Sequence, residues 1–157
     1  HDWTAERLTR EELCAALAGG PRLAVYVGHG RPQGWSGYQA VRWDEVAAPP
    51  LERPCGTVVG FTCSTLRRER GAVPFGGRWV GEGRAAAYLG AVRPVRVEPG
   101  FRLTEALGEE LARGAHATIG ALLAALDRRL RAEPGMEAAR RELRAFRLMG
   151  NPLQPLY

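Results

Sequence analysis

Two side chains with the chemistry of a nucleophile and a proton carrier follow apolar segments of the chain. His29 comes two residues after the run Leu23–Val27, and Cys63 comes directly after the run Thr57–Thr62. Short apolar runs of this kind predict buried strands. Parallel neighbouring strands lie about 4.8 Å apart and end at the same sheet edge, so they would bring the thiol and the imidazole to one substrate carbonyl. The pattern therefore predicts a site in which the sulfur attacks and the imidazole transfers protons.

Glycines on both sides of the histidine suit such a site. Gly28 and Gly30 allow a sharp turn and the close approach of a substrate chain. The backbone N–H groups of Gly30 and Cys63 are candidate donors to a transition-state oxyanion. A structural interpretation stays open beside the catalytic one, because a single cysteine after a strand is commonly a small buried hydrophobe. A histidine between glycines is likewise commonly a turn residue.

The other cysteines and histidines favour neither a disulfide framework nor a metal site. Cys14 falls on the packed side of a predicted helix, and Cys55 precedes its predicted strand. Three cysteines without paired spacing fit a reducing compartment, which indicates a cytoplasmic protein. No Cys-x-x-Cys or His-x-x-x-His spacing occurs, so we expect no metal and no cofactor.

Hydrophobic periodicity predicts an α/β fold. A third apolar run at 85–92 indicates another strand, although its alanines would also suit a helix, while four glycines and a proline make 28–38 irregular. Apolar strands alternating with helices indicate a parallel sheet sandwiched between helices. We expect one partial domain over 1–157, with a helical part over about 101–150. Helices are predicted over 5–18, 104–131 and 137–148, with a short one near 75–80 in the polar connection 64–83.

Composition excludes several classes of partner. The chain has 157 residues and a net charge of +5, and its 22 basic residues are all Arg. Arginines and acids are spread evenly, with 13 against 10 in residues 1–100 and 9 against 7 in residues 101–157, so we expect no nucleic acid. No apolar run approaches the roughly 18 residues of a membrane span, so we expect no membrane either. The sequence begins at His1 with no Met before Met136, which indicates a fragment or a cleaved product.

The order of these features resembles the caspase–haemoglobinase-like cysteine peptidases, and most of all the gingipain family. Tyr26–Gly30 ends in Gly-His-Gly, Trp35 follows shortly after, and Phe61–Thr65 carries the cysteine at the end of the next strand. The segment Phe146–Pro152 is similar to the ending of the family's domain, with Asn in place of Asp. The related CHAT proteases share the order of His and Cys and a similar ending. The resemblance covers about residues 20–152.

This resemblance implies a cysteine endopeptidase that acts on a protein or peptide. It implies that Cys63 is the nucleophile and His29 the general acid/base, with a thioester acyl-enzyme as intermediate. It also implies that the amides of Gly30 and Cys63 form the oxyanion hole, and that the reaction needs no cofactor. In this fold the histidine and the cysteine need not touch, since each addresses the substrate bond from its own side.

The sequence also departs from the pattern of the family. The Gln-Ala-Cys-x-Gly signature of caspases is absent, and His29 lies 34 residues before Cys63, against roughly 50 in caspases. The fold should have strands before Leu23–Val27, where only a helix is predicted. We therefore expect an upstream segment or companion chain to complete the sheet. The same segment would supply part of the specificity pocket and any carboxylate that orients the histidine.

Candidate pocket residues are Arg93, just past the third strand, and Trp35. Arg93, or the cluster Arg67, Arg68 and Arg70, would favour an acidic substrate residue, but we favour the interpretation of these side chains as solvated loop arginines. Trp35 is either a platform at the cleft mouth or cover for the sheet edge. For Tyr38 and Trp43 we favour the second interpretation, because aromatic side chains mostly contribute buried area. The connection 64–83 is also a candidate processing site.

Two other functions stay open beside an independently active peptidase. One is a non-catalytic scaffold or binding module that keeps the fold. The other is a regulatory, CHAT-like protease of a bacterial signalling or defence system, held inactive until a partner or an activating cleavage completes its site.

Overall fold

The computed structural model describes residues 9–37 and 40–157, which form strands and helices in alternation. The strands are β1 (Leu23–Val27), β2 (His29–Arg31), β3 (Gly34–Ser36), β4 (Val41–Arg42), β5 (Cys55–Phe61), β6 (Ala85–Ala91) and β7 (Phe146–Gly150). The helices are α1 (Arg10–Ala18), α2 (Trp43–Ala47), α3 (Phe75–Gly81), α4 (Val97–Ala112), α5 (Ile119–Ala132) and α6 (Glu137–Leu143).

The central sheet has four strands in the order β1-β5-β6-β7. β1, β5 and β6 are parallel, and β7 is antiparallel to β6. Every residue of β5 is buried, as expected for an apolar strand inside a parallel sheet. The predicted α/β fold, with a mostly parallel sheet between helices, is confirmed.

Two hydrophobic layers cover the sheet. Because side chains alternate along a strand, neighbouring residues of β5 contribute to different layers: Val59 packs with the leucines of α4 and α5, and Val58 with the aromatic residues of α3. β1 is covered less completely, since Val25 and Val27 are 45% and 49% exposed. Among the described residues, no helix is long and apolar enough to cross a membrane.

The prediction that 28–38 is irregular is wrong, because β2 and β3 form a hairpin there and β3 also pairs with β4. Glycine permits this small sheet instead of breaking it. A Cβ at Gly34 would lie 2.2 Å from the carbonyl oxygen of Val41, so only glycine allows β3 to pair so closely with β4.

The single helix predicted over 104–131 is also wrong. α4 begins earlier, at Val97, and a turn at 113–118 separates it from α5. Gly114 adopts a positive φ of 61°, and the Thr118 hydroxyl accepts a hydrogen bond from the N–H of Ala121 at 3.2 Å. Leucine and alanine keep their helical spacing across this turn, so periodicity alone could not reveal the break.

The ends of three other elements differ from prediction. The last helix stops at Leu143, and Phe146–Gly150 pairs with β6, because an open sheet edge overrides local helical preference. Cys55 begins β5, whereas we expected it before the strand. α1 begins at Arg10, where Thr9 forms a capping box; the earlier part of the helix predicted over 5–18 lies outside the described residues.

Candidate active site

The ends of β1 and β5 bring His29 and Cys63 to one edge of the central sheet. The strands are parallel, with Val27 opposite Phe61, and the N–H of Gly28 donates to the Phe61 carbonyl at 3.3 Å. His29 and Cys63 each lie two residues beyond this last pair, and both line one cavity of about 160 Å³. Two residues far apart in the sequence thus face a common space.

Gly30 packs directly against the backbone that carries the cysteine. A Cβ at Gly30 would lie 2.5 Å from Thr62 Oγ1 and 2.6 Å from the carbonyl oxygen of Cys63. Any side chain there would push the histidine turn away from the cysteine turn. This close approach explains physically why glycine follows the histidine.

The Cys63 thiol is partly exposed and lies against the segment that follows β6. The backbone N–H of Val95 donates to Sγ at 3.3 Å, and the thiol lies 3.8 Å from the Val95 carbonyl oxygen. The N–H of Cys63 donates to none of the described residues. That amide is therefore available to a ligand in the cavity.

The backbone of Ser64, directly after the cysteine, adopts a strained conformation. Its φ is 61°, in the left-handed region that costs a non-glycine residue about 1–2 kcal/mol. Its N–H donates to the Arg93 carbonyl at 3.3 Å, and the N–H of Leu66 donates to the Ala91 carbonyl at 2.9 Å. These bonds tie the cysteine turn to the end of β6. Sequence reasoning missed Ser64, because residue type does not reveal a positive φ outside glycine.

The His29 side chain is exposed at the start of β2. Its Cδ2 atom lies 3.8 Å from the position that a Cβ at Gly37 would take. No carboxylate among residues 9–37 and 40–157 forms an ion pair with the ring. The expectation that an orienting carboxylate comes from another segment stays a prediction. Within the same residues, no group of three or more His, Cys, Asp or Glu side chains is arranged to hold a metal.

The other two cysteines are buried in the second hydrophobic layer. Burial raises the pKa of the Cys55 thiol to about 11, and the thiol donates to the Leu17 carbonyl at 3.3 Å. Burial also raises the pKa of the Cys14 thiol. Cys63 is therefore the most accessible of the three thiols.

Trp35 lies beneath the hairpin instead of lining the cavity. It is 3% exposed and stacks on Tyr26, with ring centroids 4.4 Å apart. Trp43 is also buried, and its indole N–H donates to Glu82 at 3.0 Å. Their contacts favour the interpretation of both tryptophans as cover for the sheet. Tyr38 lies outside the described residues.

Arg93 is held by residues that do not line the cavity. Its guanidinium donates to Glu142 at 2.9 Å and to the Pro94 carbonyl at 2.8 Å, and it does not line the cavity. Arg67 pairs with Glu69 at 3.0 Å in the exposed part of the connection after β5. The structure thus brings His29, Gly30 and Cys63 together and leaves Trp35 and Arg93 apart from them.

Sequence reasoning missed the helix that forms the cavity wall. Val97, Gly100, Phe101 and Thr104 of α4 all line the cavity. Their spacing of three, four and seven residues places them on one helical face. The spacing was visible in the sequence, but the helix was predicted to begin only at Thr104, so this face was not recognised.

Comparisons with known proteins agree with this fold and with the placement of the two strand ends. The family model of peptidase family C25 matches residues 2–157. Among solved structures, the complex of Porphyromonas gingivalis RgpB pro- and mature domains is similar, with 16% identity and a TM-score of 0.67 over 94% of this chain and 37% of that chain. The Arg-specific cysteine proteinase gingipain R (RgpB) is similar at 14% identity and a TM-score of 0.70, over 94% of this chain and 36% of that chain.

These matches cover only part of the solved chains, which limits what they show about this chain. The chain spans little more than a third of the length of the solved chains it matches. No curated protein matches its sequence. At such identities the structural similarity shows the fold alone. The match of the family model over residues 2–157 confirms the expected resemblance to the gingipain family.

Proposed function

The chain belongs to peptidase family C25, and from that premise we propose that it is a cysteine endopeptidase with Cys63 as nucleophile and His29 as general acid/base. One observation carries the proposal. Both side chains face one cavity from the ends of paired parallel strands. The substrate is a protein or a peptide.

The reaction divides into two halves. The Cys63 thiolate attacks the substrate carbonyl and forms a C–S bond, and the oxyanion accepts hydrogen bonds from the amides of Gly30 and Cys63. Collapse breaks the C–N bond while the His29 imidazolium gives its proton to the leaving amine. Water then attacks the thioester and gives a proton to His29, and the C–S bond breaks to release the acid and restore the Cys63 thiolate and the His29 imidazolium.

The separation of the two side chains is compatible with this sequence of steps. The resting thiol contacts the backbone of Val95, and no hydrogen bond joins it to the His29 ring. A substrate bond in the cavity would lie between sulfur and imidazole, so each group would act from its own side. The free N–H of Cys63 supports its assignment to the oxyanion hole.

A companion segment is part of the proposal. β1 forms one edge of the central sheet, and two of its valines are about half exposed, as expected for a strand that another segment covers. The solved relatives are much longer, and one of them is described as a complex of pro- and mature domains. We propose that an upstream segment or companion chain pairs with β1 and supplies a carboxylate to His29.

The alternative of a non-catalytic scaffold is favoured by one observation. No described carboxylate orients His29, and a histidine without such a partner is a weaker base. Chemical labelling separates the alternatives, because a thiolate reacts rapidly while buried thiols do not.

The experiment is labelling of the chain with iodoacetamide, read cysteine by cysteine by mass spectrometry. A peptidase predicts fast labelling confined to Cys63, a changed rate in His29→Ala, and loss of peptide cleavage in Cys63→Ala with the fold retained. Cys14 and Cys55 are internal controls. Slow labelling of Cys63 that His29→Ala leaves unchanged contradicts the proposal. Activity gained only on adding an upstream segment identifies the partner-dependent form.

A further inference from the structure

We propose that the cavity between His29 and Cys63 binds a large apolar side chain, of the size of leucine or phenylalanine, from the substrate residue whose carbonyl Cys63 attacks. The inference rests on the proposed peptidase function and names its substrate class. Because Cys63 and His29 themselves line the cavity, a side chain held there belongs to a residue beside the attacked bond.

The walls of the cavity are almost entirely apolar. No Asp or Glu of the described residues lines it, so none of these residues offers a carboxylate to pair with a lysine or arginine side chain. The apolar lining comes from both strand ends, the segment after β6, α4 and β7: Val27, Phe61, Val95, Val97, Phe101 and Phe146.

The exposure of these side chains points to a missing ligand. Val97 and Phe101 of α4 are 72% and 60% exposed around the cavity. Large apolar side chains that cluster on a surface beside polar catalytic groups mark a binding site. The volume is suitable too, since an apolar cavity of about 150 Å³ accommodates benzene and this one measures about 160 Å³.

Gly100 keeps the cavity open on the side of the helix. A Cβ at Gly100 would lie 3.1 Å from Val95 Cγ1. A side chain at this position would crowd the residue whose amide holds the cysteine sulfur. Gly108, in the same helix, has nothing within 4 Å of an added Cβ, so Gly108→Ala is the matched control for Gly100→Ala.

Among residues 9–37 and 40–157, Arg96 carries the one guanidinium on the lining, and it disfavours a basic substrate side chain. It pairs with Glu142 at 3.2 Å, and the same carboxylate binds Arg93. An acidic substrate side chain would have to compete with this carboxylate for Arg96. The positive charge repels a cation, and the existing ion pair satisfies the arginine, so an apolar side chain remains the best fit.

The first test uses fluorogenic peptides that differ only in the residue before the cleaved bond. We expect kcat/KM for Leu or Phe to exceed that for Ala, Asp and Arg by about tenfold or more. A preference for Arg or Asp overturns the inference while leaving the peptidase proposal standing.

A second measurement does not depend on catalysis. Fluorescein-labelled peptides of the same series are bound to Cys63→Ala, with affinity read by fluorescence polarisation. Tighter binding of the Leu and Phe peptides supports the apolar cavity even if the native chain alone cleaves nothing, because this binding does not require the peptidase activity. Equal binding of all peptides, or tighter binding of Arg or Asp, overturns the inference.

Variants locate the selectivity. Phe101→Asp places a carboxylate on the cavity wall, and we expect it to reduce the preference for Leu and Phe over Arg at least tenfold. Leu153→Asp is the control, because Leu153 is a similarly exposed apolar side chain, 72% accessible, that does not line the cavity. Val97→Asp repeats the test if Phe101→Asp fails to fold. An unchanged profile in a folded Asp variant contradicts the inference.

Discussion

The sulfur of Cys63 accepts a hydrogen bond from the backbone N–H of Val95 across 3.3 Å. The nucleophile proposed at the end of β5 is therefore positioned by the segment that follows β6. Ser64 strengthens the same connection, because its N–H donates to the carbonyl of Arg93. The orientation of the thiol thus depends on a loop that lies 32 residues further along the chain.

Removal of the Val95 N–H should loosen the thiol. We expect Val95→Pro to slow iodoacetamide labelling of Cys63 by about fivefold, because a lost hydrogen bond is worth about 1 kcal/mol. Val95→Ala keeps the N–H and should label at nearly the native rate. Labelling rates are compared after circular dichroism shows that both variants are folded. Equal slowing in the two variants would assign the effect to the side chain.

Gly30 should tolerate no side chain. Gly30→Ala forces a methyl group within 2.6 Å of the Cys63 carbonyl oxygen, so we expect a loss of Cys63 reactivity of at least tenfold and a lower melting temperature. Gly108→Ala adds the same methyl group to an open position of α4, where it should stabilise the chain by about 0.5–1 kcal/mol. A Gly30→Ala variant with native labelling would show that the two turns can separate without consequence.

The buried thiols should resist alkylation until strongly alkaline pH. With a pKa near 11 instead of 9.0, the Cys55 thiol carries about one hundredth of the usual thiolate fraction at pH 8. We expect its labelling in the folded chain to rise only as pH approaches 11, while urea at pH 8 should make all three cysteines reactive. Rapid labelling of Cys55 in the folded chain at pH 8 would contradict its burial.

Glu110 should contribute stability that disappears in acid. Its hydrogen bond with His116, at 2.8 Å, and the charges of Arg113 and Arg129 lower the pKa of this buried carboxyl below 4.5. A depressed folded-state pKa contributes stability above the unfolded value, and this contribution is lost as pH falls through the folded value.

Substitution measures the contribution of Glu110 directly. Glu110→Gln should lower the melting temperature at pH 7 by about 5 °C, since a hydrogen bond to a charged group contributes about 2 kcal/mol. The difference from the native chain should shrink below pH 4. Glu105→Gln, on the exposed face of the same helix, should have little effect at any pH. A difference for Glu110→Gln that persists unchanged at pH 3 would show that ionisation is not its source.

The sequence by itself determined the parts of this protein that local chemistry controls. The apolar runs before His29 and Cys63 identified two parallel strands, and the glycines beside His29 marked a close approach of backbones. The order of these features was sufficient to indicate the family. Each of these signals lies within a few neighbouring residues, where side-chain size and conformational freedom act directly.

Only the tertiary structure decided what faces the cavity. The amide of Val95, the positive φ of Ser64 and the apolar face of α4 come from separate parts of the chain. Arg93 was predicted to line the pocket, but its guanidinium binds Glu142, which is distant in the sequence. The strand at Phe146–Gly150 likewise depends on the open edge of β6. Long-range packing fixes such positions, because the free energy that selects them comes from partners that no local pattern contains.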